Sequence, residues 1–255
     1  MKLSTVIITF NEEANIARTL KSVAPLMADA NGEIIIVDSG STDRTCEIAR
    51  EFGAKVYVEE WKGFAAQKNS AITKATGEWI LSLDADEEVN EELASELMRL
   101  FDLLGKWQIS GMPEDSDKKS AHARDLGLAY GLDEHLVGFC ISRRNLFLGR
   151  WIKHGGVYPD SKLRLFRRGA GIFEERIVHE TAKVSGPTGK LKGDLIHHAY
   201  PTLSGYIEHM NRYSSLGAEL AVEEQQISRS IFAFVWNVFL RPRLTFFYNY
   251  FLRLG

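Results

Sequence analysis

The chain has 255 residues, 45% hydrophobic and 25% charged, and 31 Lys and Arg against 34 Asp and Glu give a formal net charge of -3. That is apolar material for one large domain or two small ones, without the strongly basic face that a nucleic-acid partner would require. Two cysteines, Cys46 and Cys140, lack metal-site spacing and argue against a disulfide framework; they read as reduced thiols of a cytosolic protein.

MKLSTVIITF is too short and uncleavable for a secretory leader, so Leu3 to Phe10 is predicted as a first strand. A helix over about Glu13 to Ser22 follows, then a strand over Glu33 to Asp38, whose unbroken β-branched run suits a sheet covered on both faces. Next come a helix from Asp43 to Phe52, an edge strand from Lys55 to Glu59, an amphipathic helix from Phe64 to Ala75, a strand from Glu78 to Leu83, and a helix from Glu91 to Leu104. This alternation is the signature of βαβ units around a parallel sheet. Gly105 to Glu134 breaks into Gly, Pro, Ser and mixed charge and is predicted as a long loop or insertion. Leu136 to Ala182 is strand-like and is predicted as smaller strands added to the sheet edge, and Leu203 to Glu224 is helical.

From about Ile227 the text changes again, to Phe, Trp, Tyr and Leu interleaved with Arg229, Arg241, Arg243 and Arg253 and almost no acid, interrupted by Pro242. Neither apolar half reaches the roughly 20 residues of a membrane-spanning helix. Two readings stand: a helix lying in a membrane interface, or one packed on the domain or in an interface between copies. An abrupt end inside this segment also fits a piece of a longer protein.

Ligands of open parallel sheets bind beyond the carboxyl ends of the strands. Here those ends read Thr9-Phe10-Asn11-Glu12, Asp38-Ser39-Gly40-Ser41-Thr42-Asp43 and Asp84-Ala85-Asp86-Glu87, an acidic and hydroxyl-rich set. No GxGxxG and no Walker loop follows the first strand, which counts against dinucleotide and P-loop chemistry. Two carboxylates two apart on an extended segment, Asp84 and Asp86, project to one face and suit Mg²⁺ or Mn²⁺ shared with substrate phosphates.

TVIITFNEE, IIIVDSGSTDRT and GEWILSLDADEE resemble the family-2 glycosyltransferases of GT-A fold. The resemblance implies an α/β architecture: a Rossmann-like, mixed, mainly parallel sheet flanked by helices. It implies a domain over 1–200, with a nucleotide-sugar half (1–104) and an acceptor-side half (136–200), and a helical, amphipathic C-terminal segment over 201–255. It further implies that Asp38 recognises the base, that the Asn11-Glu12 turn lines the same pocket with Thr9, Ser39 and Gly40, and that Asp84, Ala85 and Asp86 hold donor and metal. LGRWIKHGGVYPDSKLRLFRR, IVHE and LIHHAYPTLSGYIEHMNRYS are similar to the lipopolysaccharide-core subgroup, associated with β-glucosyl transfer. The resemblance spans nearly the whole chain apart from Gly105 to Glu134.

An inverting transfer needs a base for the acceptor hydroxyl; Glu180 is the first candidate, with His179 and Asp160 as alternatives. His197 matches a late histidine on metal or diphosphate, or else is a histidine bonded to backbone at a helix start. Lys68, Arg143 and Arg164 are candidate phosphate or acceptor contacts. The expectation is a transferase moving sugar from a UDP-sugar to a lipid-linked or lipopolysaccharide-core glycan, on the cytoplasmic face of the inner membrane, with a homo-oligomer left open. Its rivals are a sugar-phosphate nucleotidyltransferase, disfavoured because TFNEEAN lacks that class's glycine-rich lysine loop, and a non-catalytic nucleotide-sugar-binding or membrane-scaffolding subunit.

Overall fold

A period-two pattern buried on both sides builds the central sheet. In β2 (Glu33–Asp38) every residue is buried. Ile34 and Ile36 join one core cluster and Ile35 and Val37 the other, as alternating side chains must. The computed structural model describes residues 2–29, 31–109, 136–174, 181–223 and 230–254.

Among these, β1 (Leu3–Thr9), β2, β3 (Lys55–Val58) and β4 (Trp79–Asp84) pair in parallel, with α1 (Ile16–Asp29), α2 (Thr45–Glu51) and α3 (Phe64–Lys74) as connections. Beyond them lie β5 (Glu87–Val89), α4 (Glu91–Ile109), β6 (Gly138–Phe147), β7 (Arg150–Trp151), β8 (Asp160–Arg167) and β11 (Thr188–Tyr200). The sheet order is β3-β2-β1-β4-β8-β6-β11-β5, with β7 on β6; β9 (Gly171–Glu174) and β10 (Thr181–Val184) form a separate antiparallel pair. β8 is antiparallel to β4, and β11 to β5, so the sheet is mixed and mainly parallel in its first half. One core cluster gathers α1 and α4 through Ile16, Leu20, Leu93 and Leu97. The other seats Ala65 and Ala71 of α3 against Ile80 and Phe166.

Three departures from the sequence reading have local causes. Helix α1 runs on to Asp29 through Pro25, because the buried series Ile16, Leu20, Val23 and Leu26 continues at helical spacing while Pro25 itself is exposed. The later strands do not merely extend an edge, since β8 inserts beside β4. Helix α4 continues past Leu104 to Ile109, and the rest of the predicted loop lies outside the described residues.

The chain divides into two units, Met1–Arg143 with Ser161–His197, and Arg144–Asp160 with His198–Gly255. In the second unit the Leu148 N–H donates to the Tyr200 carbonyl (2.8 Å), and Phe147, Tyr200 and Tyr206 meet edge to face. This unit also carries α5 (Leu203–Glu223) and a helical rod of alternating α and π turns: Ile231–Val235, Trp236–Leu240, Arg241–Phe247 and Tyr248–Leu252.

Candidate active site at the strand ends

Register places the predicted strand ends side by side in the first unit. Thr9 pairs with Asp38 across β1 and β2, and Ile8 with Asp84 across β1 and β4. The two βα turns are then latched to each other. Asn11, at φ 54 in the left-handed region that asparagine tolerates, donates its N–H to Ser41 Oγ (2.8 Å) and accepts the Thr42 N–H on Oδ1 (2.9 Å). The Glu12 N–H donates to Thr45 Oγ1 (2.7 Å), the Glu13 N–H to Asp43 Oδ2 (3.1 Å), and the Arg44 N–H to Glu13 Oε2 (3.0 Å).

Asp38 is fully buried, and both its oxygens are engaged. Oδ1 accepts from the N–H groups of Gly40 and Ser41, and Oδ2 from Thr9 Oγ1 and Ser41 Oγ. Burial works against its ionisation, but these donors outweigh it and hold the carboxyl below its ordinary range; the Cys46 thiol also donates to it. Burial, reinforced by that bond, pushes the Cys46 thiol up to about 11. Asp38 therefore shapes the turn, in which Gly40 supplies φ 90, and the partly exposed Ser39 stands at its rim. Gln67, buried on α3, reaches Ser39 Oγ through Nε2 (3.3 Å).

The aspartates of LDADE separate. Residues 85 and 86 form a turn between β4 and β5, so the strand alternation that would aim Asp84 and Asp86 alike stops at Asp84. The Asp84 carboxylate meets Lys68 Nζ (2.7 Å), Arg164 Nη2 and, farther off, Arg143 Nη1 (3.9 Å). Burial opposes its charge, yet Arg164, then Lys68 and Arg143, hold its carboxyl well below the usual range. Arg164 also reaches Glu87 Oε1 (2.6 Å), as does Arg143 (3.2 Å), and Glu87 Oε2 accepts the Asp84 N–H (3.0 Å). Burial alone would weaken the Arg164 proton affinity, but Asp84 and Glu87 raise it, and the guanidinium stays charged.

Asp86 instead lies 3.4 Å from His197 Nε2, with side-chain exposures of 26% and 17%. His197 comes there because β11 pairs with β5 and sets it opposite Glu87. A buried Thr19 fixes the intervening turn by donating Oγ1 to the Ala85 carbonyl (2.6 Å). Glu12, held up by burial against a bond from Asn15, also feels the charges of Asp86, Asp43 and Asp84, which raise its carboxyl further.

The structure thus brings together Thr9, Asn11, Glu12, Asp38, Ser39 and Gly40 on one side, and Lys68, Arg143, Arg164, Asp84, Ala85, Asp86 and His197 on the other. Glu180 and His179 lie outside the described residues. Asp160 belongs to the second unit, where Asn145 Nδ2 donates to it at 3.4 Å. Glu87 and Thr19 have no role in the sequence reading. Glu87 was visible only as one more acid after the triplet, and Thr19 as one polar residue inside an amphipathic helix. Among the described residues no three His, Cys, Asp or Glu groups converge as a ready cation cage.

The profile of Glycosyl transferase family 2 matches residues 4–168. An uncharacterized glycosyltransferase of Rickettsia typhi is 46% identical over 100 residues, 39% of this chain and 33% of that protein, so this chain aligns with about a third of that relative's length. The lipopolysaccharide core biosynthesis glycosyltransferase LpsC of Rhizobium meliloti is 28% identical over 261 residues, covering 100% of this chain and 80% of that protein. Among solved structures, Staphylococcus aureus TarS 1-349 in complex with UDP-GlcNAc superposes with a TM-score of 0.50 at 18% identity, over 77% of this chain and 58% of that one, which shows the shared GT-A fold.

Proposed function

This chain belongs to glycosyl transferase family 2, and on that premise we propose that it moves a sugar, with inversion, from a UDP-sugar to a lipid-linked or lipopolysaccharide-core glycan. The observation that carries the reading is the division within LDADE: Asp84 is held by cations while Asp86 stays partly exposed beside His197. The full-length similarity to LpsC supports the acceptor class. The UDP-GlcNAc complex of a protein of like fold is in keeping with a UDP donor.

Asp86 offers a hard carboxylate oxygen to a divalent cation and His197 a borderline imidazole nitrogen, a pair that suits Mn²⁺ better than Mg²⁺ and leaves the remaining positions to water and substrate phosphates. In this reading Asp84, engaged by Lys68 and Arg164, orients those cations, and Asp86 carries the metal contact. When bound there, Mg²⁺ or Mn²⁺ supplies charge stabilisation to the departing diphosphate. Lys68, Arg143 and Arg164 gather around Asp84 and Glu87, and cationic side chains of this kind suit a diphosphate. The turn built around Asp38 offers Ser39, Gly40 and Asn11 as the rim for base and ribose. Glu180, in the VHE segment, is proposed to take the acceptor proton.

Incubation with UDP-sugars and Mn²⁺ tests this reading. UDP release that rises on adding a lipopolysaccharide-core acceptor is expected; binding without turnover, or nucleoside triphosphate formation from pyrophosphate, overturns it.

A further inference from the structure

The C-terminal rod over 231–252 carries none of the residues of the donor site. Its apolar side chains stand in the open: Ile231 is 84% exposed, Phe232 77%, Phe247 55% and Leu252 75%. An isolated exposed leucine needs no account, but an unbroken aromatic surface does.

Its polar residues follow a rule. Asn237, Arg241, Thr245, Asn249 and Arg253 recur every fourth position. In a plain α-helix such a series drifts by about 40° per step around the axis. Here the turns alternate: the Arg241 N–H reaches back to the Trp236 carbonyl and the Arg253 N–H to Tyr248, both five residues earlier, whereas Phe234 reaches Ser230, four earlier. A wider π turn rotates less per residue than an α turn, so the five-residue bonds reduce that drift. Rings four apart record the same alignment, since Phe246 and Tyr250 stack at an interplanar angle of 12° and Phe247 and Phe251 at 15°. At its end the stripe is tied to the second unit, where the Gly155 N–H donates to the Arg253 carbonyl (2.9 Å) and the Arg253 guanidinium lies over Gly156.

We infer that this rod is a lipid-surface element that lies in the interfacial layer of an anionic membrane, its stripe toward the headgroups and its aromatic flanks among the acyl chains. The sign of the charge suits that surface: residues 231–254 hold three arginines and no acid, and Arg241 stands exposed on the stripe while Arg253 is engaged over Gly156. Arg243, off the stripe, folds back to bond the Phe239 carbonyl (2.8 Å), which removes it from the apolar flank. Crossing the bilayer is disfavoured by Arg241, Pro242 and Arg243 at mid-rod, and no helix among the described residues is long and apolar enough to span. An interface between copies would cover one flank, whereas here apolar side chains are exposed around the rod outside a single line. The inference does not depend on glycosyl transfer, and its test reads no activity.

Full-length protein is sedimented with vesicles of phosphatidylcholine alone or mixed with phosphatidylglycerol. Binding to the mixed vesicles is expected, and the pair Phe247→Glu and Phe251→Glu is expected to weaken it by at least about tenfold, with Thr245→Lys on the stripe retaining it. Circular dichroism and the thermal transition confirm that each variant is folded. Equal partition of wild type and the Phe variants, equal loss in Thr245→Lys, or concentration-dependent self-association without vesicle binding overturns the inference.

Discussion

Glu87 and Arg164, both sequestered from solvent, meet at 2.6 Å beneath the LDADE turn, and the same guanidinium reaches Asp84. One buried pair thereby sets the position of the aspartate above it. Removing one member strands the other, so Glu87→Ala is expected to cost about 3 kcal/mol of stability in urea unfolding. Unchanged stability would mean that solvent or another carboxylate replaces it.

Asp86 carries a different kind of consequence, because its carboxylate is partly exposed and its pairing with His197 is long. Asp86→Ala is expected to lower UDP release by at least about a hundredfold, roughly 3 kcal/mol of barrier, with little change in the melting temperature. A chelator should abolish the wild-type activity and Mn²⁺ restore it. Full activity in either experiment would refute the role assigned to Asp86 and its cation.

Asp38→Asn keeps the size but trades an acceptor oxygen for a donor facing hydroxyl and N–H donors. A loss of about 2 kcal/mol in folding stability is expected, read by chemical denaturation, together with weaker nucleotide binding by calorimetry. Weaker binding with wild-type stability would instead indicate that Asp38 touches the nucleotide itself.

The Cys46 thiol, raised to about 11 by burial and by its bond to Asp38, is a poor nucleophile at neutral pH. Alkylation of Cys46 by iodoacetamide, followed by mass spectrometry, is expected to be slow at pH 8 and to accelerate only toward pH 11 in the folded protein. The sign for stability follows from a folded value above the ordinary 9: this contribution is complete below pH 9 and is lost as pH rises toward 11. Rapid labelling at pH 8 with the fold intact would contradict that geometry.

The first half of the fold was legible because its strands are short, mainly apolar runs and its helices amphipathic, so EIIIVD and EWILSLD stand out by composition. The strand ends followed, since a parallel sheet brings its carboxyl ends together by topology. Side-chain direction within the site was not legible. Whether Asp84 and Asp86 face alike depends on a turn that sequence spacing cannot report, and Glu87 meets Arg164, 77 residues on, because β8 pairs with β4. The insertion of β8 beside β4 is likewise a long-range choice that no local pattern encodes. The run of α1 beyond Ser22 and through Pro25 was not legible either, since burial of Val23 and Leu26 in the tertiary core carries it on.

The crossed hydrogen bonds between the Asn11-Glu12-Glu13 turn and the Ser41–Thr45 turn make two loops from different strands behave as one piece. Under the proposed function, a nucleotide arriving there would meet a surface already ordered by folding, so little would be left to lose on binding. Variants that loosen the latch without touching the nucleotide would then act mainly as faster dissociation, with encounter rates almost unchanged.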